Sequence, residues 1–199
     1  GEFTVHGRVL GTDLTAEVAV RVTDKLGENL SDNPDFDDDS NRSFASATND
    51  IDPSSRDRVD YVNDGSDDES RRWTNWSPTP SDNPEVSVGV IFREAGKIVE
   101  RTVAEGSIRF FSDGGTDAPS KLVLERYVGP EFDSPEYYSN YHPYDPEHPF
   151  NTPSNWEKVE DRTDQEIQAG TDIHVTFAPV KTKAMRWRME RKADTKGVA

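Results

Sequence analysis

The sequence predicts an all-β fold, a β-sandwich of the jelly-roll kind with an N-terminal β-hairpin appendage. Three observations support this class. Apolar and polar residues alternate with a period of two over several short stretches. Turn residues separate these stretches every 10 to 15 positions, and no ten residues show a convincing helical period. Many short strands between turns are typical of sandwiches and barrels.

The first 23 residues predict the β-hairpin. Apolar residues occupy alternate positions in 3–10 and again in 16–22, and Gly11-Thr12-Asp13 supplies the turn between them. A lone hairpin is marginal in water, so we expect this one to belong to a longer unit or to pack on the rest of the chain. Residues 24–43 are acidic and lack periodicity, which predicts a linker.

Residues 44–199 contain the strands of the predicted sandwich. The clearest strand is 86–92, whose valines share one face. Residues 96–103 are expected to form a loop with a short strand. Further strands are expected at 107–111, 121–128, 172–177 and 184–190. Three alternating side chains of the last strand are expected in the core: Met185, Trp187 and Met189.

The charge balance is strongly negative, with 23 Lys+Arg against 39 Asp+Glu and a formal net charge of −16. Such a surface repels phosphate backbones and anionic lipid, so neither nucleic acid nor a membrane is an expected partner. Residues 31–70 have a balance of −10 and residues 181–196 a balance of +5. One interpretation is that the charges keep the protein soluble and that the acidic and basic stretches attract each other across the fold. The alternative is that the acidic stretch forms a site for a hard cation.

The residue types exclude several classes of chemistry. The chain has no cysteine, which excludes disulfides, thiolate zinc sites and a cysteine nucleophile. No run of 18 apolar residues occurs, and the common hydrolase, zinc-protease, phosphate-loop and dinucleotide motifs are missing. A carboxylate pair for glycoside hydrolysis is not excluded by counting, but the acid clusters lie on open turns, where a raised pKa is not expected.

One long segment, 131–153, interrupts the strand pattern. It contains four tyrosines, two histidines and five prolines. Loops of this length in compact domains are usually functional or disordered, and prolines with aromatic rings argue against simple disorder. Tyr and Trp can stack on the apolar face of a hexose while polar side chains meet its hydroxyls. The alternative is that the segment folds over the sandwich and buries its rings.

A series of motifs resembles the discoidin, or coagulation-factor type C, galactose-binding-like domain. The resemblance covers roughly residues 44–199 and rests on the order of the motifs. They are Phe44-Ala45-Ser46-Ala47-Thr48, Val62-Asn63-Asp64-Gly65, Arg72-Trp73-Thr74-Asn75-Trp76, the valine-rich strand, Ala118-Pro119-Ser120, Asn155-Trp156-Glu157-Lys158-Val159 and Ala184-Met185-Arg186-Trp187-Arg188-Met189.

The hairpin resembles the end of a bacterial immunoglobulin-like domain, and the whole arrangement resembles the region behind the catalytic core of bacterial, streptococcal-type family-two β-galactosidases. The resemblance implies a carbohydrate-binding module for terminal β-galactose, with galactose-terminated glycans and other domains of the same polypeptide as partners. It also implies a secreted or cell-wall-attached protein on a bacterial surface.

The resemblance and the aromatic segment together predict the site residues. Those expected to bind carbohydrate are Trp73, Tyr138, His142, Tyr144, Asn155 and Trp156. The family's Asn-Asp-Gly turn implies a structural Ca²⁺, with Asp64, Asp67 and Thr74 as ligands. The resemblance also implies that Trp76 is a core ring.

The sequence leaves three hypotheses for the function. The first is a non-catalytic module that recognises lactose or N-acetyllactosamine and tethers a glycosidase to glycans. The second is a structural spacer that has no ligand of its own and buries its aromatic rings. The third, an enzyme in its own right, is not expected for this chain, although the parent protein is expected to be a β-galactosidase.

Overall fold

The structure, a computed structural model, describes most of the chain. The described residues are 2–8, 15–21, 29–37, 39–46, 58–66, 68–80, 82–132, 149–163 and 165–199.

These residues form thirteen strands: β1 (Glu2–Arg8), β2 (Thr15–Arg21), β3 (Arg42–Ala45), β4 (Glu85–Ile91), β5 (Arg93–Glu94), β6 (Lys97–Ile98), β7 (Arg101–Arg109), β8 (Thr116–Asp117), β9 (Lys121–Tyr127), β10 (Trp156–Asp161), β11 (Asp172–Thr182), β12 (Ala184–Glu190) and β13 (Gly197–Val198). Short 3₁₀ turns lie at Val59–Asn63, Pro149–Asn151 and Pro153–Asn155. The predicted all-β class is confirmed, and the described residues include no helix that could span a membrane.

The main layer is an antiparallel sheet in the order β10-β9-β12-β4-β3. The second layer is the antiparallel pair β7–β11, and β8 pairs in parallel with β13. The two layers meet at Gly106 of β7, where a Cβ atom would lie 3.0 Å from Leu124 and 3.4 Å from Trp187. A glycine here allows β7 to approach the main sheet closely.

The inner face of the main sheet carries the larger hydrophobic core. Alternate residues of β4, β9 and β12 point into it, as the period of a strand requires. Val103 and Val175 close it from the second layer. The three side chains predicted to point inward from β12 are buried, at 8%, 7% and 2% exposure: Met185, Trp187 and Met189.

The outer face of the main sheet is also buried, by a separate aromatic cluster. Its members are Phe44, Ile91, Tyr127, Phe132, Phe150, Trp156 and Ala184. The rings of Phe44 and Phe150 stack with centroids 4.5 Å apart, and Tyr127 meets Phe150 edge-on at 5.3 Å. The segments on either side of 133–148 therefore cover this face.

Strand direction divides the sandwich into two ends. Arg42, Ile91, Tyr127, Trp156 and Ala184 lie together at one end, which we call the insert end because the chain enters and leaves 133–148 there. The opposite ends of the same strands form what we call the far end. Its strand termini are Glu85, Lys121, Asp161 and Glu190.

The structure contains the predicted hairpin, but the described part of the predicted linker is bonded to the sandwich. β1 and β2 pair antiparallel from Glu2↔Arg21 to Arg8↔Thr15, as the alternation predicts, whereas the assignment of 1–23 to an immunoglobulin-like domain stays a prediction. The described part of the predicted linker does not behave as one. Asn63 Nδ2 donates to Ser31 O at 2.7 Å, and Arg93 N donates to Asn41 Oδ1 at 2.8 Å. Residues 31–37 and 39–41 are thus fastened to the sandwich.

Candidate functional site

The two tryptophans predicted to bind carbohydrate lie in the core. Trp73 is 6% exposed in the inner core, and Trp156 is 7% exposed in the outer aromatic cluster. Stacking on a sugar requires an open ring face, so neither indole can provide it in this structure. The expectation was wrong for these two rings because each completes a hydrophobic cluster.

Trp156 instead anchors the chain that returns from 133–148. Its Nε1 donates a hydrogen bond to Phe150 O at 3.0 Å. The Arg186 guanidinium lies 4.1 Å from the ring centroid, and Arg186 Nη1 donates to the same Phe150 O at 3.1 Å. A cation over an indole face is the favourable geometry for a cation–π contact.

A buried carboxylate holds the arginine of this anchor in place. Glu125 of β9 accepts Nε donors from two arginines of β12, Arg186 at 2.7 Å and Arg188 at 2.8 Å. The side chains of Glu125 and Arg186 are only 8% and 10% exposed. The ion pair keeps Arg186 pointed at Phe150 and so links the sheet to the base of the insert.

Asn155 is half-buried at the same base. Its Nδ2 donates to Pro149 O at 2.9 Å, and its backbone oxygen accepts from Val128 N at 2.8 Å. Any Cβ at Gly129 would lie 2.6 Å from the side chain of Asn155, so the two segments touch. Asn155 thus fixes the geometry at the insert end, and its side-chain amide is already engaged.

The remaining predicted carbohydrate ligands, Tyr138, His142 and Tyr144, lie outside the described residues. The structure describes both flanks of their segment. Phe132 is 6% and Phe150 2% exposed, and their ring centroids are 5.1 Å apart. The insert therefore leaves and rejoins the sandwich at one aromatic cluster.

The predicted metal ligands are only partly brought together. Asp64 is buried: its Oδ1 accepts from Ser66 N at 2.8 Å, and its Oδ2 lies 2.8 Å from Arg71 Nη2. That contact lacks hydrogen-bond geometry, so Oδ2 is a buried carboxylate oxygen without a hydrogen bond in the described chain. The Thr74 hydroxyl is already committed, since it donates to Val198 O and accepts from Trp76 N. Asp67 lies outside the described residues.

A carboxylate that the sequence did not single out lies beside this turn. Both carboxylate oxygens of Asp32 would be 3.6 Å from a Cβ at Gly65. Burial, and then the charge of Asp64, raise the pKa of Asp32, whereas a hydrogen bond from Asn29 lowers it. Two carboxylates that repel each other provide the oxygen ligands and the negative charge that a hard cation such as Ca²⁺ prefers. Even so, no group of three or more His, Cys, Asp or Glu side chains in the described ranges is arranged for a metal.

Trp76 is the exposed indole of the molecule, contrary to the core position that the resemblance implied. It is 37% exposed and lies in the loop between the Asn-Asp-Gly turn and β4. Lys196 Nζ lies 5.8 Å from its ring centroid. The prolines at 78, 80 and 84 were the available signal, because a ring beside several prolines belongs to a loop rather than to a buried strand.

A family comparison identifies the module. The family described as β-galactosidase-like, galactose-binding domain matches residues 43–199. The chain belongs to this family. The predicted boundary at residue 44 differs from the start of the match by one residue, and β3 begins at Arg42. The chain is a carbohydrate-binding module, and this membership identifies it as a binding domain rather than an enzyme.

Solved structures support the same assignment. A structure of Streptococcus pneumoniae β-galactosidase BgaA is 71% identical, with a TM-score of 0.73 over 80% of this chain and 92% of that one. The family-32 module of Clostridium perfringens NanJ in complex with galactose is 14% identical, with a TM-score of 0.50 over 80% of this chain and 89% of that one.

The module CpGH89CBM32-5 of the same organism, in complex with GalNAc-β-1,3-galactose, is 12% identical, with a TM-score of 0.50 over 80% of this chain and 91% of that one. The two clostridial modules support the fold alone. No curated protein matches the chain.

Proposed function

We propose that this module binds terminal β-galactose, as in lactose or N-acetyllactosamine, and tethers a secreted or cell-wall-attached bacterial β-galactosidase to glycans. The observation that carries the proposal is the family match over residues 43–199, together with 71% identity to a structure of a β-galactosidase. Two modules of the same fold are in complex with galactose or a galactose-containing disaccharide, which supports this ligand class.

The insert end is the proposed site. Tyr138, His142 and Tyr144 supply rings and polar groups in one segment, and Asn155 orients the chain at its base. The flanking phenylalanines are buried in a cluster that is itself fixed by the Arg186–Glu125 pair. A rigid base limits the entropy lost on binding.

Calorimetric or NMR titration with lactose tests the proposal. We expect a dissociation constant in the micromolar to millimolar range, since a small sugar buries little area. Galactose is expected to compete, and glucose, which differs at one hydroxyl, is the matched negative control. If millimolar lactose produces neither heat nor a chemical-shift change, lactose is excluded as a ligand.

Substitutions of the tyrosines test whether the sugar binds at the insert end. Tyr138→Ala and Tyr144→Ala are expected to weaken lactose binding by about tenfold if each ring stacks on the sugar, whereas Tyr138→Phe and Tyr144→Phe retain most of it. Trp156→Phe is the control, because it alters a buried ring and is expected to lower stability without changing affinity. Unchanged affinity in both alanine variants would move the site elsewhere.

We propose separately a structural Ca²⁺ at Asp64 and Asp32. It is supported by the buried Oδ2 of Asp64, which accepts no hydrogen bond although it is paired with Arg71 at 2.8 Å, and by the repulsion between the two carboxylates. In EDTA, Asp32→Asn is expected to melt above the natural sequence because it removes that repulsion. Added CaCl₂ should stabilise the natural sequence, by about 2.7 kcal/mol at a hundred times the dissociation constant, and leave Asp32→Asn unchanged. Equal melting of the natural sequence in CaCl₂ and EDTA would rule the ion out.

The spacer hypothesis retains one supporting observation, the burial of Trp73 and Trp156. It predicts that the module positions its enzyme without binding any sugar. The lactose titration separates the two functions directly.

A further inference from the structure

The chain contains two Asp-Gly dipeptides, Asp64-Gly65 and Asp113-Gly114. In such a pair the backbone nitrogen of the glycine can attack the side-chain carboxyl carbon of the aspartate, because glycine has no Cβ atom to block the approach. The attack requires the side chain and the backbone to move towards each other, so packing that holds both of them suppresses it. The two pairs share one chemistry, and their surroundings in the fold decide which of them reacts.

The fold immobilises the first pair. The side chain of Asp64 is 0% exposed, its Oδ1 accepts from Ser66 N at 2.8 Å, and its Oδ2 lies 2.8 Å from Arg71 Nη2. The glycine is packed as well, since a Cβ atom at Gly65 would lie 3.6 Å from both carboxylate oxygens of Asp32. This pair can react only after the turn opens and the ion pair breaks, and the opening of a packed segment costs free energy.

The second pair lies on an open hairpin turn. Thr116 N donates to Asp113 O at 2.7 Å, and Asp113 N donates to Thr116 O at 3.3 Å, so the turn closes around Gly114 and Gly115. The side chain of Asp113 is 61% exposed, and both glycines are exposed. A Cβ atom on Gly114, whose φ is +56°, would meet nothing within 4 Å beyond its chain neighbours. Neither partner of the reaction is therefore held by packing.

One contact restrains the Asp113 carboxylate. Arg72 Nη2 donates to Asp113 Oδ2, and the two side chains are 17% and 61% exposed. This contact competes with any approach of the carboxyl to the nitrogen of Gly114. Ion pairs with an exposed partner are weak, so this one slows the reaction without preventing it.

We propose that Asp113-Gly114 is a site of spontaneous isoaspartate formation and that the fold protects Asp64-Gly65 from the same change. The nitrogen of Gly114 forms a bond to Asp113 Cγ and loses its proton, the Cγ–OH bond breaks, and a water molecule leaves. The product is a cyclic succinimide. Water then adds to one of its two carbonyl carbons. Addition at Cγ restores aspartate, whereas addition at the α-carbonyl breaks the original peptide bond and routes the main chain through the side-chain carbonyl.

The bonds around the turn make the modification consequential. Lys196 N donates to Gly115 O at 2.7 Å, and Gly197 of β13 pairs with Thr116 of β8. Isoaspartate adds a methylene group to the main chain directly before these bonds, so their spacing from Asp113 changes. We expect the modification to loosen β13 and to lower the melting temperature. The inference is independent of the proposed function, because it involves no ligand.

Peptide mass spectrometry tests the proposal on the intact chain. The protein is incubated at neutral pH well below its melting temperature, and isoaspartate is located by its resistance to the protease Asp-N. We expect isoaspartate at Asp113 to accumulate at least about tenfold faster than at Asp64 in the same molecules, because Asp64 reacts only from an opened state. In urea the two rates should converge. Equal rates in the folded chain, no product at Asp113, or an equal difference in urea would overturn the proposal.

Two variants test the restraint and the consequence. Arg72→Gln is expected to raise the rate at Asp113 about two- to fivefold, as the loss of a weak ion pair implies. Arg109→Gln is the matched control, since its pair with Asp172 is exposed and lies on other strands. Asp113→Glu keeps the charge but disfavours cyclisation, so its melting temperature should stay constant during incubation while that of the natural sequence falls. An equal fall in both chains would overturn the effect on β13.

Discussion

Single residues decide how the insert is attached to the sheet. Glu125 is predicted by alternation to lie on the face of β9 opposite to Leu124, but nothing in the sequence near it indicates that this face is buried. Burial comes from Phe150 and Trp156, which are 25 or more residues further along the chain. Two arginines then converge on Glu125 because a buried charge needs partners.

Glu125→Gln is the residue-scale test of this network. The substitution leaves Arg186, whose side chain is 10% exposed, without its counter-charge, and we expect the free energy of unfolding to fall by about 3–5 kcal/mol. Urea denaturation measures the change. Glu190→Gln is the control, because its pair with Lys121 is exposed and its loss is expected to cost less than about 1 kcal/mol. Equal losses in the two variants would contradict the role of Glu125.

The carboxyl of Asp161 gives a pH-dependent prediction. Hydrogen bonds from the Thr163 side chain and backbone, and then Lys158, lower the pKa of Asp161 to about 2. A depressed pKa in the folded state stabilises the fold above the ordinary value of 3.8, and this stabilisation is lost as the pH falls from 3.8 to about 2.

NMR titration of the Asp161 carboxyl measures this pKa. Thr163→Val removes the hydroxyl and is expected to raise the pKa towards its ordinary value, whereas Thr176→Val on β11 leaves it unchanged. An unchanged titration in Thr163→Val would assign the low pKa to the amide and Lys158 alone.

At the scale of elements, the alternation predicted three central strands well and two others incompletely. β4, β9 and β12 lie within a residue or two of their predicted bounds. β7 runs from Arg101 to Arg109 as one strand, although a loop was expected over its first part. Its partner β11 extends to Thr182. These strands form the thin second layer, where exposed residues interrupt the buried and partly buried ones and the apolar pattern is weak.

Gly89 tests the close packing of β12 and β3 on β4. A Cβ atom there would lie 2.3 Å from Met185 O and 2.6 Å from the ring of Phe44. Because one obstacle is backbone, Gly89→Ala is expected to destabilise the module by about 2–3 kcal/mol in thermal or urea unfolding. Gly106→Ala is the matched control, since its nearest neighbour is a Leu124 side chain at 3.0 Å that can move. A neutral Gly89→Ala would mean that β12 and β3 do not pack this closely on β4.

At the scale of the whole molecule, the basic stretch 181–196 is neutralised by acids of neighbouring strands. Five basic side chains between 181 and 192 pair with acids between 85 and 131, including Lys183 with Glu131 and Lys192 with Asp117. The neighbouring strands therefore provide counter-charges for this stretch. Among the described acids of 31–70, those exposed on loops are Asp35, Asp37, Asp39, Asp68 and Glu69.

Salt should therefore stabilise the module as a whole. Added NaCl screens the repulsion within a molecule of net charge −16 more than it weakens the buried pairs. We expect the melting temperature at pH 7 to rise by about 2–4 °C between low salt and 0.5 M NaCl, which corresponds to ~1 kcal/mol for a domain of this size. A fall would show that exposed ion pairs outweigh the net repulsion.

The sequence by itself determined the strand pattern, the all-β class and the family, because a period of two and an ordered set of motifs are properties of the chain alone. Only the tertiary structure decided which tryptophans are buried. Trp73 and Trp76 are three residues apart in a loop without periodicity, so no local rule assigns a face to either. Long-range contacts place Trp73 in the core and leave Trp76 exposed beside Lys196.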